Sequence, residues 1–192
     1  MIRQIQNTYN NRQRRRKKYI FSEAEKKLLL FFVKEKSSEV PFWKLKYYCI
    51  NDLGMNLSEF YHVYTLLLEL NVLVEILGEK YDQNHSILVD IPAIVKNYLG
   101  LRYYSSAAIL AALYKLCSYH IAKDIEYEFT LWDLSHLQFY DIKLLYKYER
   151  GVFKNCVREL ISKSYLINIH KGRYKFNYKI VPKEVVGFLL LV

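Results

Sequence analysis

The chain has 192 residues, 52% of them hydrophobic, and a formal net charge of +10. That length fits one large domain or two small ones, and that apolar fraction excludes wholesale disorder. Six glycines and three prolines are too few for an all-β chain full of tight turns, and the basic excess points to an anionic partner.

Residues 1–18 hold seven Lys and Arg and no acid, a net +7. The start is polar and then basic, not apolar, so it does not read as a signal peptide. Within it Arg12, Arg14, Arg15, Arg16, Lys17 and Lys18 are crowded into seven positions. Charge of that density cannot fold alone and reads as a flexible arm for a polyanion. A minor groove, a phosphate backbone, RNA, anionic lipid or a localisation receptor would all meet that description.

Ser22, followed by Glu23 and Glu25 and then an apolar run, predicts a capped helix over about Ser22–Lys36. Pro41 opens a second helix, Phe42–Asp52, which closes at Gly54. Ser58 is expected to cap a third, running to about Leu70. The period then changes, and Val72–Ile76 and Ser86–Val89 read as two strands joined by the polar loop Gly78–His85. Residues 19–99 carry eight Lys against eleven Asp and Glu, a net −3.

Residues 92–102 read as a linker. The stretch Tyr103–Ala122 has Lys115 as its one formal charge, but its tyrosines, serines and His120 leave too little apolar character to cross lipid. It predicts a buried central helix, starting near Ser106 and reaching about Lys123. Phe129-Thr130 suggests a short strand and a cap, ahead of a second helix over Leu131–Tyr140 and a third over Glu149–Lys163. Leu166–His170 and Arg173–Tyr178 pair as a hairpin across Lys171-Gly172. Residues 100–181 hold thirteen Lys and Arg against seven acids, a net +6. The neutral tail 182–192 is apolar over Val185–Val192, too short to span a membrane, and is expected to pack on a core or a partner.

The two halves match in order and locally: Phe42-Trp43-Lys44-Leu45 stands against Leu131-Trp132-Asp133-Leu134, and each segment is followed 26 or 27 positions after its Trp by Glu69 or Glu159. Three helices followed by a β-hairpin, met twice, resembles the winged helix-turn-helix superfamily over about Tyr19–Ile180. The resemblance rests on element order. It implies a mainly α fold with small β-hairpins (α+β), two winged helix-turn-helix units in tandem, one at 19–91 and one at 103–181. It also implies double-stranded DNA as the partner, as for transcription regulators and plasmid-type replication initiators of this superfamily. Tandem winged helices also serve as protein-binding scaffolds in chromosome-condensing and membrane-remodelling complexes, which is the alternative.

A recognition helix lies in the major groove and needs a polar, preferably basic outer face. On Glu149–Lys163, Phe153, Cys156, Val157, Leu160 and, just beyond, Ser164 form the inward stripe, while Arg150, Lys154 and Arg158 rise along the other side with Asn155 and Ser162 beside them. Arg reads guanine, Asn reads adenine, and Lys holds phosphate. The wing adds Lys171, Arg173 and Lys175. The plain alternative is a solvated face of an amphipathic helix. The first unit's third helix instead exposes Ser58, Glu59, His62, Thr65 and Glu69, which repel phosphate, and its apolar arc is wide. It reads as an assembly module, packing on the second unit or forming a homodimer or protein interface, or else as an ordinary intramolecular core.

No enzymatic chemistry is legible. The five histidines are scattered, no His–Glu–x–x–His or Cys–x–x–Cys spacing occurs, and the six glycines are isolated, so neither metal nor cofactor is expected. Glu126 and Glu128 have the spacing of a strand's solvent side more than that of a nuclease. Cys49, Cys117 and Cys156 read as reduced core residues of a cytosolic protein. The nineteen tyrosines read chiefly as core-rim residues, with stacking on single strands the minor reading.

Overall fold

The computed structural model describes residues 19–76, 85–135, 138–139, 142–143, 150–170 and 172–191, leaving the basic arm 1–18 outside the described residues. The first half begins with α1 (Glu23–Glu35), set by the reciprocal cap that its sequence announces. Ser22 Oγ accepts from the Glu25 amide, and the Glu25 carboxylate, itself buried, accepts from the Ser22 amide at 2.6 Å. A three-residue strand, β1 (Glu39–Pro41), follows and leads into α2 (Phe42–Tyr47), whose last turn widens to a π-helical one over Tyr48–Asp52. Next comes α3 (Leu57–Glu69), then β2 (Leu73–Ile76) and β3 (Ser86–Val89). The cap of α3 is not Ser58: Asn56 sits in extended backbone and its side chain accepts from the Glu59 amide at 2.8 Å. Asn and Ser are comparable caps, and only the backbone decides which one stands at the turn.

The segment 92–102, expected as a linker, consists largely of a packed helix, α4 (Ile91–Leu99). Asp90 caps it through the Ala93 amide, Pro92 supplies the fixed φ of a first turn, and Ile91, Ile94, Val95 and Leu99 are buried. A nine-residue helix between a strand and a Gly is too short for its period to stand out in the sequence.

The second half follows a similar course with an extra strand pair. It runs α5 (Tyr104–Ala122), β4 (Glu128–Thr130), α6 (Leu131–Ser135), the short pair β5 (Gln138–Phe139) and β6 (Ile142–Lys143), α7 (Arg150–Ser162), β7 (Leu166–His170), β8 (Arg173–Phe176), a 3-10 turn at Tyr178–Ile180 and α8 (Lys183–Leu189). The expected helix Leu131–Tyr140 is a correction: residues 138–139 are strand, paired antiparallel with 142–143. The β-branched and aromatic residues there favour pairing over a second helical turn. The start of α6 is as the sequence suggests, with Thr130 and Asp133 capping each other.

Each half therefore has a three-stranded antiparallel sheet with the same strand order, β1-β3-β2 and β4-β8-β7. The outer strands β1 and β4 each pair over only three residues, Glu39↔Leu88 to Pro41↔Ser86 and Glu128↔Lys175 to Thr130↔Arg173. The hairpin β7–β8 turns at Gly172, whose φ of +82° is a conformation that a side chain disfavours, and it carries an irregularity at Asn168/His170.

One hydrophobic core runs through both halves. Its centre is α5, buried all round from Ser105 to Tyr114, as expected of a central helix. Helix α8 folds back across the halves: Val185 and Phe188 are fully buried, and it packs on α4, α1 and α5. Truncating a buried Phe of this kind costs about 3–5 kcal/mol. The close approach to α1 depends on Gly187, where a Cβ would lie 3.2 Å from Val33 Cγ1. An aromatic relay, Phe21 to Tyr98 at 5.0 Å and Tyr98 to Phe188 at 6.3 Å, ties the start of the first half to the end of the second. Among the described residues no helix is long and apolar enough to cross a membrane.

Candidate nucleic-acid interface

Helix α7 divides by burial as its sequence divides by polarity. Cys156, Val157 and Leu160 are buried, while Gly151, Lys154, Asn155, Arg158, Ile161 and Ser162 are exposed. Lys154, Asn155 and Arg158 thus share one outward face, brought together by the helical period alone. The inward face packs on α5 and leads directly into β7. The side chain of Arg150, together with Lys171 and the arm residues Arg12, Arg14, Arg15, Arg16, Lys17 and Lys18, falls outside the described residues.

The orientation of α7 is held by Glu159, which the repeat marks but to which the sequence assigns no role. Glu159 turns away from solvent toward the start of α5. Its carboxylate accepts from the Arg102 amide, from the Tyr103 amide at 3.3 Å and from the Ser106 hydroxyl at 2.6 Å. Helix α5 has no capping side chain of its own at Tyr103, so Glu159 supplies the cap from a distant part of the chain. No local pattern announces a cap whose donor groups lie 53 to 57 positions away.

Two of the three hairpin cations have acidic partners. Arg173 is exposed but lies 3.4 Å from Glu128, and Lys175 is ion-paired with Glu126. Glu128 stands on β4 and Glu126 just before it, and β4 is registered directly against β8, so Arg173 and Lys175 each meet a negative partner across the sheet, while Lys171 lies outside the described residues. The two carboxylates that share nuclease-like spacing are occupied by these pairs. Among the described residues, Lys154 and Arg158 on α7 have no acidic partner, whereas Arg173 and Lys175 on β8 do.

The first half presents another surface. On α3, Phe60, Val63, Tyr64 and Leu67 are buried and Leu66, Leu68 and Leu70 are half-buried. Leu57 and Tyr61, one turn apart, remain 52% and 42% exposed, in a face that carries Glu59, His62, Thr65 and Glu69 and no cation. Lys46 of α2 lies 5.3 Å over the Tyr61 ring. Trp43 and Tyr47 project from α2 at 56% and 62% exposure, and Trp132, in the matching position of α6, is 67% exposed.

Among the described residues no group of three or more His, Cys, Asp or Glu is placed to hold a metal ion. All three cysteines are buried thiols, and desolvation pushes Cys49 and Cys117 up to about 12 and raises Cys156 as well. Thiols held neutral in this way are poor nucleophiles. No protein-family model matches the chain, and no curated protein matches it in sequence.

Proposed function

We propose that this chain is a double-stranded-DNA-binding protein of two winged helix-turn-helix units, in which α7 enters the major groove and the arm 1–18 adds backbone contacts. The observation that carries the reading is the outward face of α7: Lys154, Asn155 and Arg158 exposed together on a helix whose other side is locked into the core. Support comes from the order helix–strand–helix–helix–strand–strand in the first half, which the second half follows with the extra pair β5–β6 inserted before its third helix, and from the first–third–second strand order of the three-stranded sheet in each half, features that resemble that superfamily. A transcription regulator and a replication or partition factor would use this surface alike, and neither requires a catalytic group.

The test is fluorescence anisotropy of a random-sequence duplex against the full chain over a range of ionic strength. The wild type is expected to bind with a steep salt dependence, and Lys154→Ala/Arg158→Ala to bind about tenfold to a hundredfold more weakly at low salt. Absence of binding at low salt by the wild type overturns the reading. So does a double variant that binds like wild type.

A second reading, a protein-interaction scaffold or homodimer, is favoured by the exposed Trp43, Tyr47, Leu57 and Tyr61 of the first half. Contacts made there depend little on salt, which separates the two readings in one titration.

A further inference from the structure

Where the connection between the halves reaches α5, it faces the edge of α7 across an open cleft of about 550 Å³. Arg102 lines it from the side of the connection, and Asn155, Arg158, Ser162 and Lys163 line it from α7 and the residue just after it. Three cations and one acid line the cleft. The acid is Glu159, whose carboxylate is already held by two backbone amides and a hydroxyl at the positive end of α5. Its charge is offset where it stands, so what the cleft turns toward solvent is cationic.

Each cation is poised differently. Arg102 is exposed, and its guanidinium lies 5.1 Å over the ring of Tyr103, a contact that holds the side chain against the cleft wall. Arg158 is exposed on the outward face of α7, one turn from both Asn155 and Ser162. Lys163, exposed as well, reaches the Leu99 carbonyl at a long 3.4 Å and keeps its remaining donors. An oxyanion entering the cleft meets guanidinium groups from two walls, the fork geometry that suits phosphate. A helix in the major groove has backbone phosphates along its flanks, and the cleft lies on one flank of α7.

We propose that this cleft seats one phosphodiester of the DNA backbone, with Arg102 as its principal ligand and Arg158 and Lys163 beside it. The inference rests on the DNA-binding reading and deepens it, because it places part of the interface in the connection between the halves and outside the three-helix unit. It assigns a binding role to Arg102, which composition and helical period leave unmarked.

The experiment compares wild type, Arg102→Ala, Lys163→Ala and Lys179→Ala in the anisotropy titration, with two unrelated duplex sequences. Lys179 is an exposed cation outside the cleft, paired with Asp124 at 3.1 Å, and serves as the control. Arg102→Ala is expected to weaken both duplexes equally, about threefold to tenfold, and to lower the salt slope by about one. Lys163→Ala is expected to do the same to a smaller degree, and Lys179→Ala to leave both readouts unchanged. Wild-type affinity and slope for Arg102→Ala, alongside weakened Lys154→Ala/Arg158→Ala, overturns the seat and leaves the DNA reading standing. If the wild type binds no duplex, titration with inorganic phosphate followed through the arginine side-chain NMR signals decides. Saturable shifts of Arg102 and Arg158 keep the seat as a phosphate site while the DNA reading falls, and the lack of such shifts overturns both.

Discussion

Helices α3 and α7 occupy the same place in their halves and face the solvent with opposite chemistry. Each buries one side, Phe60, Val63, Tyr64 and Leu67 in the first and Cys156, Val157 and Leu160 in the second. Outward, α3 offers Glu59, Glu69, Leu57 and Tyr61, whereas α7 offers Lys154, Asn155 and Arg158. The fold constrains only the inward residues, because solvent accommodates almost any polar group on the other side. The outward faces are therefore free to differ, and on these two helices they do.

The anchoring of the two helices differs too, and this gives the largest predicted effect. Glu159 clasps α7 to the start of α5, while Glu69, its counterpart by spacing on α3, is exposed and α1 is capped locally by Ser22 and Glu25. Glu159→Ala leaves two amides and a hydroxyl without their acceptor and is expected to cost about 2 kcal/mol, a fall in Tm of about 4–8 °C. Glu69→Ala is expected to shift Tm by less than about 1 °C. Equal shifts in a thermal melt would remove the distinction between the halves.

The hairpins sharpen the comparison at a smaller scale. On β2, Glu75 accepts from the Tyr64 hydroxyl at 2.7 Å, so the first hairpin presents an acid. On β8, Arg173 and Lys175 are cationic but neutralised by Glu128 and Glu126. Glu126→Gln/Glu128→Gln releases both cations and is expected to raise DNA affinity about twofold to fivefold, measured by the same anisotropy assay at low salt. An unchanged affinity would mean that this hairpin does not approach DNA.

The smallest effect concerns the helices that end each half. α4 is capped by Asp90, which also accepts from the Tyr104 hydroxyl at 2.9 Å, whereas α8 starts at Pro182 without a side-chain cap. Burial raises the Asp90 pKa, outweighing the Ala93 amide and the Tyr104 hydroxyl, which lower it. A carboxyl that keeps its proton to higher pH when folded favours the folded state at acid pH and loses that contribution as pH rises through the folded value. Asp90→Asn keeps a capping acceptor without the charge, so its Tm is expected to match or slightly exceed wild type at pH 7. That advantage disappears as pH falls below the ordinary carboxylate range. Melts at several pH values check the sign, and a variant less stable than wild type at pH 7 would show that the ionised carboxylate is needed.

Much of the second half is legible in the sequence. The burial pattern of α7, the buried course of α5 and the hairpin turning at Gly172 all follow from period, composition and one glycine, which are local properties. The Ser22–Glu25 cap is local in the same sense. Legibility failed where the deciding contact was distant or the element short. The strand β1 has three residues and exists because β3 lies beside it; α4 is too brief to show its period; the stretch after Ser135 is settled by pairing.

The amino-acid sequence by itself determined the longer helices and the two hairpins β2–β3 and β7–β8, their recurrence in the two halves, and which faces of those helices turn inward, because hydrophobic period and end caps act within a few residues. Only the tertiary structure decided that α8 returns to α1 and α4, that Glu159 caps α5, that the hairpin cations are paired with β4 acids, and that Arg102 stands across from Arg158. Those are meetings of groups far apart in the chain. Packing alone brings them together, since charge and polarity at one position carry no information about which distant partner will be there.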